Sequence, residues 1–127
     1  MKVDPRIQMA GEGAVALIMR EVKGAKAVVV STEDGFEICA RVENTAEVTR
    51  LSAMASSMAA LGAIAGEESH IGACDNVVIA AAQGHIVMRQ VRRNDVSLVL
   101  SVVAGKEAIV GQMLYFSRQA CRALEAA

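Results

Sequence analysis

Aromatic side chains are nearly missing from this 127-residue chain, which has no Trp, one Tyr and two Phe. Without them there is no platform on which bases or sugars could stack. An excess of one charge is missing too. Thirteen Lys and Arg stand against fourteen Asp and Glu, a formal net charge of -1. That balance excludes the basic footprint of a nucleic-acid binder and the acidic composition of a solvating tail. Cys39, Cys74 and Cys121 are an odd number of cysteines at wide spacing. They form neither a disulfide framework nor a zinc knuckle, and roles as small buried hydrophobes are expected. His70 and His85 are the two histidines, one in a loop and one in a turn, with no His-x-x-x-His or Cys-x-x-Cys pair to hold a metal. Exposed polar roles are expected for both.

Nucleotide cradles are lacking as well. Gly11-Glu12-Gly13-Ala14 precedes any strand and does not complete a Gly-x-Gly-x-x-Gly pattern. Gly105-Lys106-Glu107 has no Walker glycine before it and carries Glu where Ser or Thr is needed. No cofactor is expected. The N-terminal apolar stretch Ala14 to Met19 is broken by Arg20 and Glu21, so a secretory leader is not expected. The longest uncharged run, Leu51 to Gly66, contains three Ser and two Gly and is short for a bilayer span. A cytoplasmic protein without membrane insertion is the expectation.

What is present is 54% hydrophobic residues in a chain long enough for one domain, residues 1–127. Asp4-Pro5 opens a helix whose firmer part is Glu12 to Lys23, with Gly24 beyond its end. Ala25 to Ser31 is a β-branched strand, Thr32 to Gly35 is a turn, and Phe36 to Val42 returns as a second strand. Alternation there places Phe36, Ile38 and Ala40 on one side, with Glu37, Cys39 and Arg41 on the other. A helix follows over Asn44 to Glu68, capped by Asn44 or Thr45. Strands are predicted at Asn76 to Ala82, Ile86 to Val91 and Val96 to Ala104, the last apolar on both sides and therefore central. Glu107 to Leu124 closes the chain as a helix with Met113, Ala120 and Leu124 inward. The order αββαβββα predicts an α+β fold: a five-stranded antiparallel sheet sandwiched between helices.

The middle helix departs from the surface pattern. Val48, Leu51, Met54 or Ala55, Met58, Leu61 and Ala65 form one apolar stripe. The opposite side, Ala53, Ser56, Ser57, Ala60, Ala63 and Ile64, carries no charge. A helix covered on one side only should show a charged face to water. This one is expected to be covered twice, by its own sheet and by a second polypeptide that small residues allow to approach closely. The Asn76 strand, rich in Ala and Val, has little charge to protect an edge. Arg89, Arg92 and Arg93 are the single basic cluster, read first as a solvated turn and otherwise as a candidate surface for an acidic protein partner.

The run Ala27-Val28-Val29-Val30-Ser31-Thr32-Glu33-Asp34-Gly35-Phe36 resembles the first hairpin of the roadblock/LC7 (dynein light chain) superfamily. The small-residue helix through Ala53, Ser56, Leu61 and Ala65 is similar to that family's central helix. Gly84-His85-Ile86-Val87 and Val96-Ser97-Leu98-Val99-Leu100 fit in order and spacing, so the likeness covers about residues 7 to 125. It implies a profilin-like roadblock fold without cofactor or metal, and a non-catalytic homodimer in which central helices pack and third strands pair. On this chain that interface maps to Leu51, Met54, Ser57, Met58, Ala60, Leu61 and Ile64, with Val77, Val78 and Ile79 on the strand. It further implies regulation or scaffolding of a Ras-like small GTPase, as in prokaryotic polarity switches. The alternatives are a structural subunit of a larger or cytoskeletal complex, or a sensory ligand-binding domain. The last would need His70, His85 or Asp34 to converge on a pocket.

Overall fold

The computed structural model describes residues 3–42 and 45–127. The elements are α1 (Pro5–Glu21), β1 (Ala25–Thr32), β2 (Glu37–Val42), α2 (Thr45–Glu68), β3 (Asn76–Ala81), β4 (Gly84–Val91), β5 (Leu98–Gly105) and α3 (Val110–Ala126). The strands form one antiparallel sheet in the order β2-β1-β5-β4-β3. β5 is central, and β2 and β3 are the edges. Helices α1 and α3 cover one face and α2 covers the other.

Local chemistry sets the boundaries. The Asp4 carboxylate accepts the Arg6 N–H at 2.8 Å, and Pro5 fills the first helical position. The helix then runs through both glycines instead of firming up at Glu12. Gly11 is buried, and a Cβ there would lie 2.7 Å from Cys39 Sγ, so the glycine serves packing. Between β1 and β2, Thr32 Oγ1 donates to Asp34 Oδ1 at 2.6 Å and accepts the Phe36 N–H at 3.0 Å. Gly35 takes the left-handed φ of 97° that the turn requires. Of the caps expected for α2, Asn44 lies outside the described residues. β3 and β4 are joined by Ala82 and Gln83 alone, because β4 begins at Gly84, two residues before the predicted start. β5 begins at Leu98 rather than Val96, and α3 at Val110 rather than Glu107.

The simple alternation expected for β2 does not hold. Val30 pairs with Cys39 but Ser31 pairs with Glu37, so Ile38 is an extra residue, a bulge. It puts Ile38 and Cys39 on the same side, both buried under α1, while Ala40 and Val42 turn toward α2. Cys39 is thus a core residue, and Phe36 is 58% exposed. Burial, with Glu12 and Glu37 nearby, pushes the Cys39 thiol up to about 12.

The two layers differ in weight. Among the described residues, twenty buried residues make the core beneath α1 and α3, and eight make the core beneath α2. The thinner layer also holds the hydroxyls of Ser31, Ser52 and Ser101, buried without a protein partner. α2 is therefore attached to its sheet by a narrow strip, and its remaining surface points outward.

Candidate functional site

Val48, Leu51, Ser52, Ala55 and Ala59 form the buried strip of α2. Small residues continue the strip toward the C-terminal end. A Cβ on Gly62 would meet Cys74 Sγ at 2.8 Å, and one on Gly66 would meet the Gly72 carbonyl oxygen. The helix consequently rests on its small residues and turns large ones away. Met54, Leu61 and Ile64 are 51%, 59% and 56% exposed. Ala53, Ser57, Ala60 and Ala65 lie exposed among them. The expected single stripe does not hold together: Val48, Leu51 and Ala55 are buried, whereas Leu61 and Ala65 are exposed.

β3 continues this surface. It lies at the end of the sheet with β4 as its one neighbour, so its other edge offers unpaired backbone groups. Ile79 stands opposite Ile86 in register, on the side where Val77 packs toward α2. Val78 faces the other way, 43% exposed. Between helix and strands runs a groove of about 320 Å3, lined by Ala53, Met54, Ser57, Met58, Ile79, Ile86 and Met88. Every lining residue except Ser57 is apolar, and none carries a charge.

The structure thus exposes Met54, Ser57, Ala60, Leu61 and Ile64 on the outer side of α2, with Met58 and Ile79 in the groove beside them, while Val78 lies on the opposite side of the sheet. It does not expose Leu51: at 6% exposure Leu51 is part of the chain's own core. Val77 is half-buried against that core. Ala53 was expected on the small-residue side of α2, whereas Ile86 and Met88 were not anticipated. The Ile79–Ile86 register could have indicated Ile86, because residues two apart across a two-residue turn share a face.

α2 is long and apolar enough to cross a membrane by length and composition, contrary to the expectation from its uncharged run. Its buried strip is nonetheless taken up by the sheet.

The three arginines do not form an exposed basic patch. Arg89 is 7% exposed, because alternation along β4 sends it beneath α3. Arg92 pairs with Asp75 at 3.0 Å and donates to the Cys74 carbonyl at 2.7 Å. Arg93 holds Asp95 at 2.9 and 3.1 Å and donates to the Leu124 carbonyl at the end of α3. That pairing raises the Arg93 guanidinium and lowers the Asp95 carboxyl from their ordinary values. Asp34 is engaged in its turn, and His70 is exposed on the loop after α2. His85 is half-buried on β4, not in the exposed turn expected for it. Among the described residues, no three His, Cys, Asp or Glu side chains gather to hold a metal ion.

No family model matches this chain, and no curated protein matches it by sequence. Solved structures do match. A roadblock/LC7 domain from Streptomyces avermitilis superposes with a TM-score of 0.78 at 19% identity, over 94% of each chain. The gliding protein MglB from Thermus thermophilus gives 0.83 at 14% identity, over 98% of this chain and 92% of that one. An MglB with a tetrameric arrangement gives 0.84 at 15% identity, over 99% and 92%. At such identities the likeness is one of fold, and the fold is that of roadblock/LC7 domains.

Proposed function

From the premise of a roadblock/LC7 fold, we propose that this chain is a non-catalytic, homodimeric interaction module that regulates or scaffolds a small Ras-like GTPase. The observation that carries the reading is the uncharged α2–β3 face. Met54, Leu61 and Ile64 stand more than half exposed on it, beside an edge strand with no charge from Val77 to Ala81. Contiguous apolar surface of this kind marks an interaction site. A second copy supplies what the face lacks: another small-residue helix to pack against α2 and another β3 to complete the edge. The resemblance to MglB structures, one of them described as tetrameric, supports self-association as a property of such chains. The GTPase is the partner class that the sequence resemblance implies. The three arginines considered above are engaged within the chain, which favours docking by shape over insertion of an arginine.

Two measurements test this. Sedimentation of the wild-type chain is expected to give a dimer, and Leu61→Glu a folded monomer, since Leu61 contributes little to the single chain's core. Titration against the GTPase encoded nearest this gene, loaded with GDP or a GTP analogue, is expected to show binding that depends on the nucleotide. A monomeric wild type overturns the assembly. A dimer that binds neither form leaves the structural-subunit reading in its place.

A further inference from the structure

A polar cavity of about 150 Å3 opens between β4 and α3, in the helical layer opposite α2. Its charged lining is Asp75, Arg89, Arg92, Arg118, Arg122 and Glu125. Four guanidinium groups face two carboxylates, so the cavity carries two uncompensated positive charges. The carboxylates are partly engaged already. Asp75 pairs with Arg92 at 3.0 Å, and Glu125 accepts the Arg92 backbone N–H at 3.0 Å.

Arg89 is the unusual member. It is more than nine-tenths buried, yet its hydrogen bonds go to neutral acceptors, Ser117 Oγ and the Leu114 carbonyl, each at 3.2 Å. Among the described residues it forms no ion pair, and its Nη1, which is not sealed from solvent, makes no hydrogen bond to the protein. A buried guanidinium without a direct ion-pair partner is unfavourable. Burial draws it below its ordinary range; the Arg118 charge adds to the effect, and the Cys121 and Asp75 side chains oppose it. Arg118 and Arg122 stand four apart on α3, a like-charge spacing that weakens a helix. A bound anion offsets both.

We propose that this cavity binds the dianionic head of a phosphate monoester, with Arg89 at its floor and Arg118 and Arg122 at its rim. A phosphate monoester carries roughly -1.5 to -2 at neutral pH and three acceptor oxygens, which matches the uncompensated charge and the unused donors. Planar guanidinium groups are suited to phosphate oxygens. The volume is below the roughly 300–1,000 Å3 of ordinary small-molecule sites, so the cavity takes the phosphate and leaves the rest of the ligand outside. The group can come from a free phosphate compound or from a phosphorylated side chain of a partner protein.

Calorimetric titration of the full chain at fixed ionic strength separates these sources. The probes are inorganic phosphate, a phosphoserine peptide, the same peptide unphosphorylated, and acetate. Saturable binding of the two phosphate probes at one site per chain is expected, with none for the others. Arg118→Gln and Arg122→Gln should each weaken it about tenfold or more, while Arg20→Gln, outside the cavity, should leave it unchanged. Both cavity variants alter exposed side chains and are expected to fold. A phosphopeptide binding at least about tenfold tighter than inorganic phosphate identifies a phosphorylated partner, and equal affinities identify the free compound. Absence of saturable phosphate binding, or affinity unchanged in both variants, overturns the site. Neither result depends on whether the chain dimerises.

Discussion

Gly11 and Gly13 stand two positions apart in α1 and have opposite surroundings. A Cβ on Gly11 would press on Cys39, whereas a Cβ on Gly13 would meet nothing within 4 Å. Gly11→Ala should therefore destabilise the chain by about 1–3 kcal/mol, through overpacking. Gly13→Ala should stabilise it by about 0.5–1 kcal/mol, through helix propensity. Urea unfolding of the two variants checks both signs. Cys39 carries a pH signature. Its thiol ionises near 8.5 in an unfolded chain but only at about 12 in the folded one. The unfolded state thus loses this proton first. The associated stability is complete below about pH 8.5 and fades as the pH rises toward 12. Unfolding free energies should fall over that range, and less steeply in Cys39→Ala. Burial of Cys39 was expected from its residue type, but its place under α1 against Gly11 depends on the bulge at Ile38, which alternation along β2 does not anticipate.

α2 shows what periodicity can and cannot determine. An evenly apolar helix has no marked polar side, so its periodicity does not say which residues meet the sheet. The sheet holds Ala55 and Ala59, Gly62 and Gly66 rest on the segment from Gly72 to Val77, and the larger Leu61 and Ile64 point out. Leu51 and Leu61, ten residues apart, are therefore expected to differ. In a monomeric Ala60→Arg background, Leu51→Ala should cost about 2–5 kcal/mol of folding stability and Leu61→Ala less than about 0.5 kcal/mol. Chemical denaturation of the two double variants measures the contrast. The missing charge was nevertheless readable from Leu51 to Gly66, and with it the expectation of a second covering surface. The arginines were visible as a cluster, but that β4 places Arg89 under α3 depends on which face α3 occupies.

The whole molecule has a heavy helical layer on one side of the sheet and a light one on the other. If a second copy completes the light side, stability depends on protein concentration. Each tenfold rise in concentration should then raise the melting temperature by a few degrees or less, an effect Leu61→Glu should abolish. Differential scanning calorimetry across two decades of concentration reads this directly. By itself the sequence determined the element order, the turn at Asp34-Gly35, the centrality of β5 and the absence of charge along α2 from Leu51 to Gly66, because those follow from neighbours along the chain. Only the tertiary structure decided which half of α2 meets the sheet, the bulge that buries Cys39, and the gathering of Arg89, Arg118 and Arg122 around one cavity. Those features depend on residues that are distant in sequence and meet when the layers close.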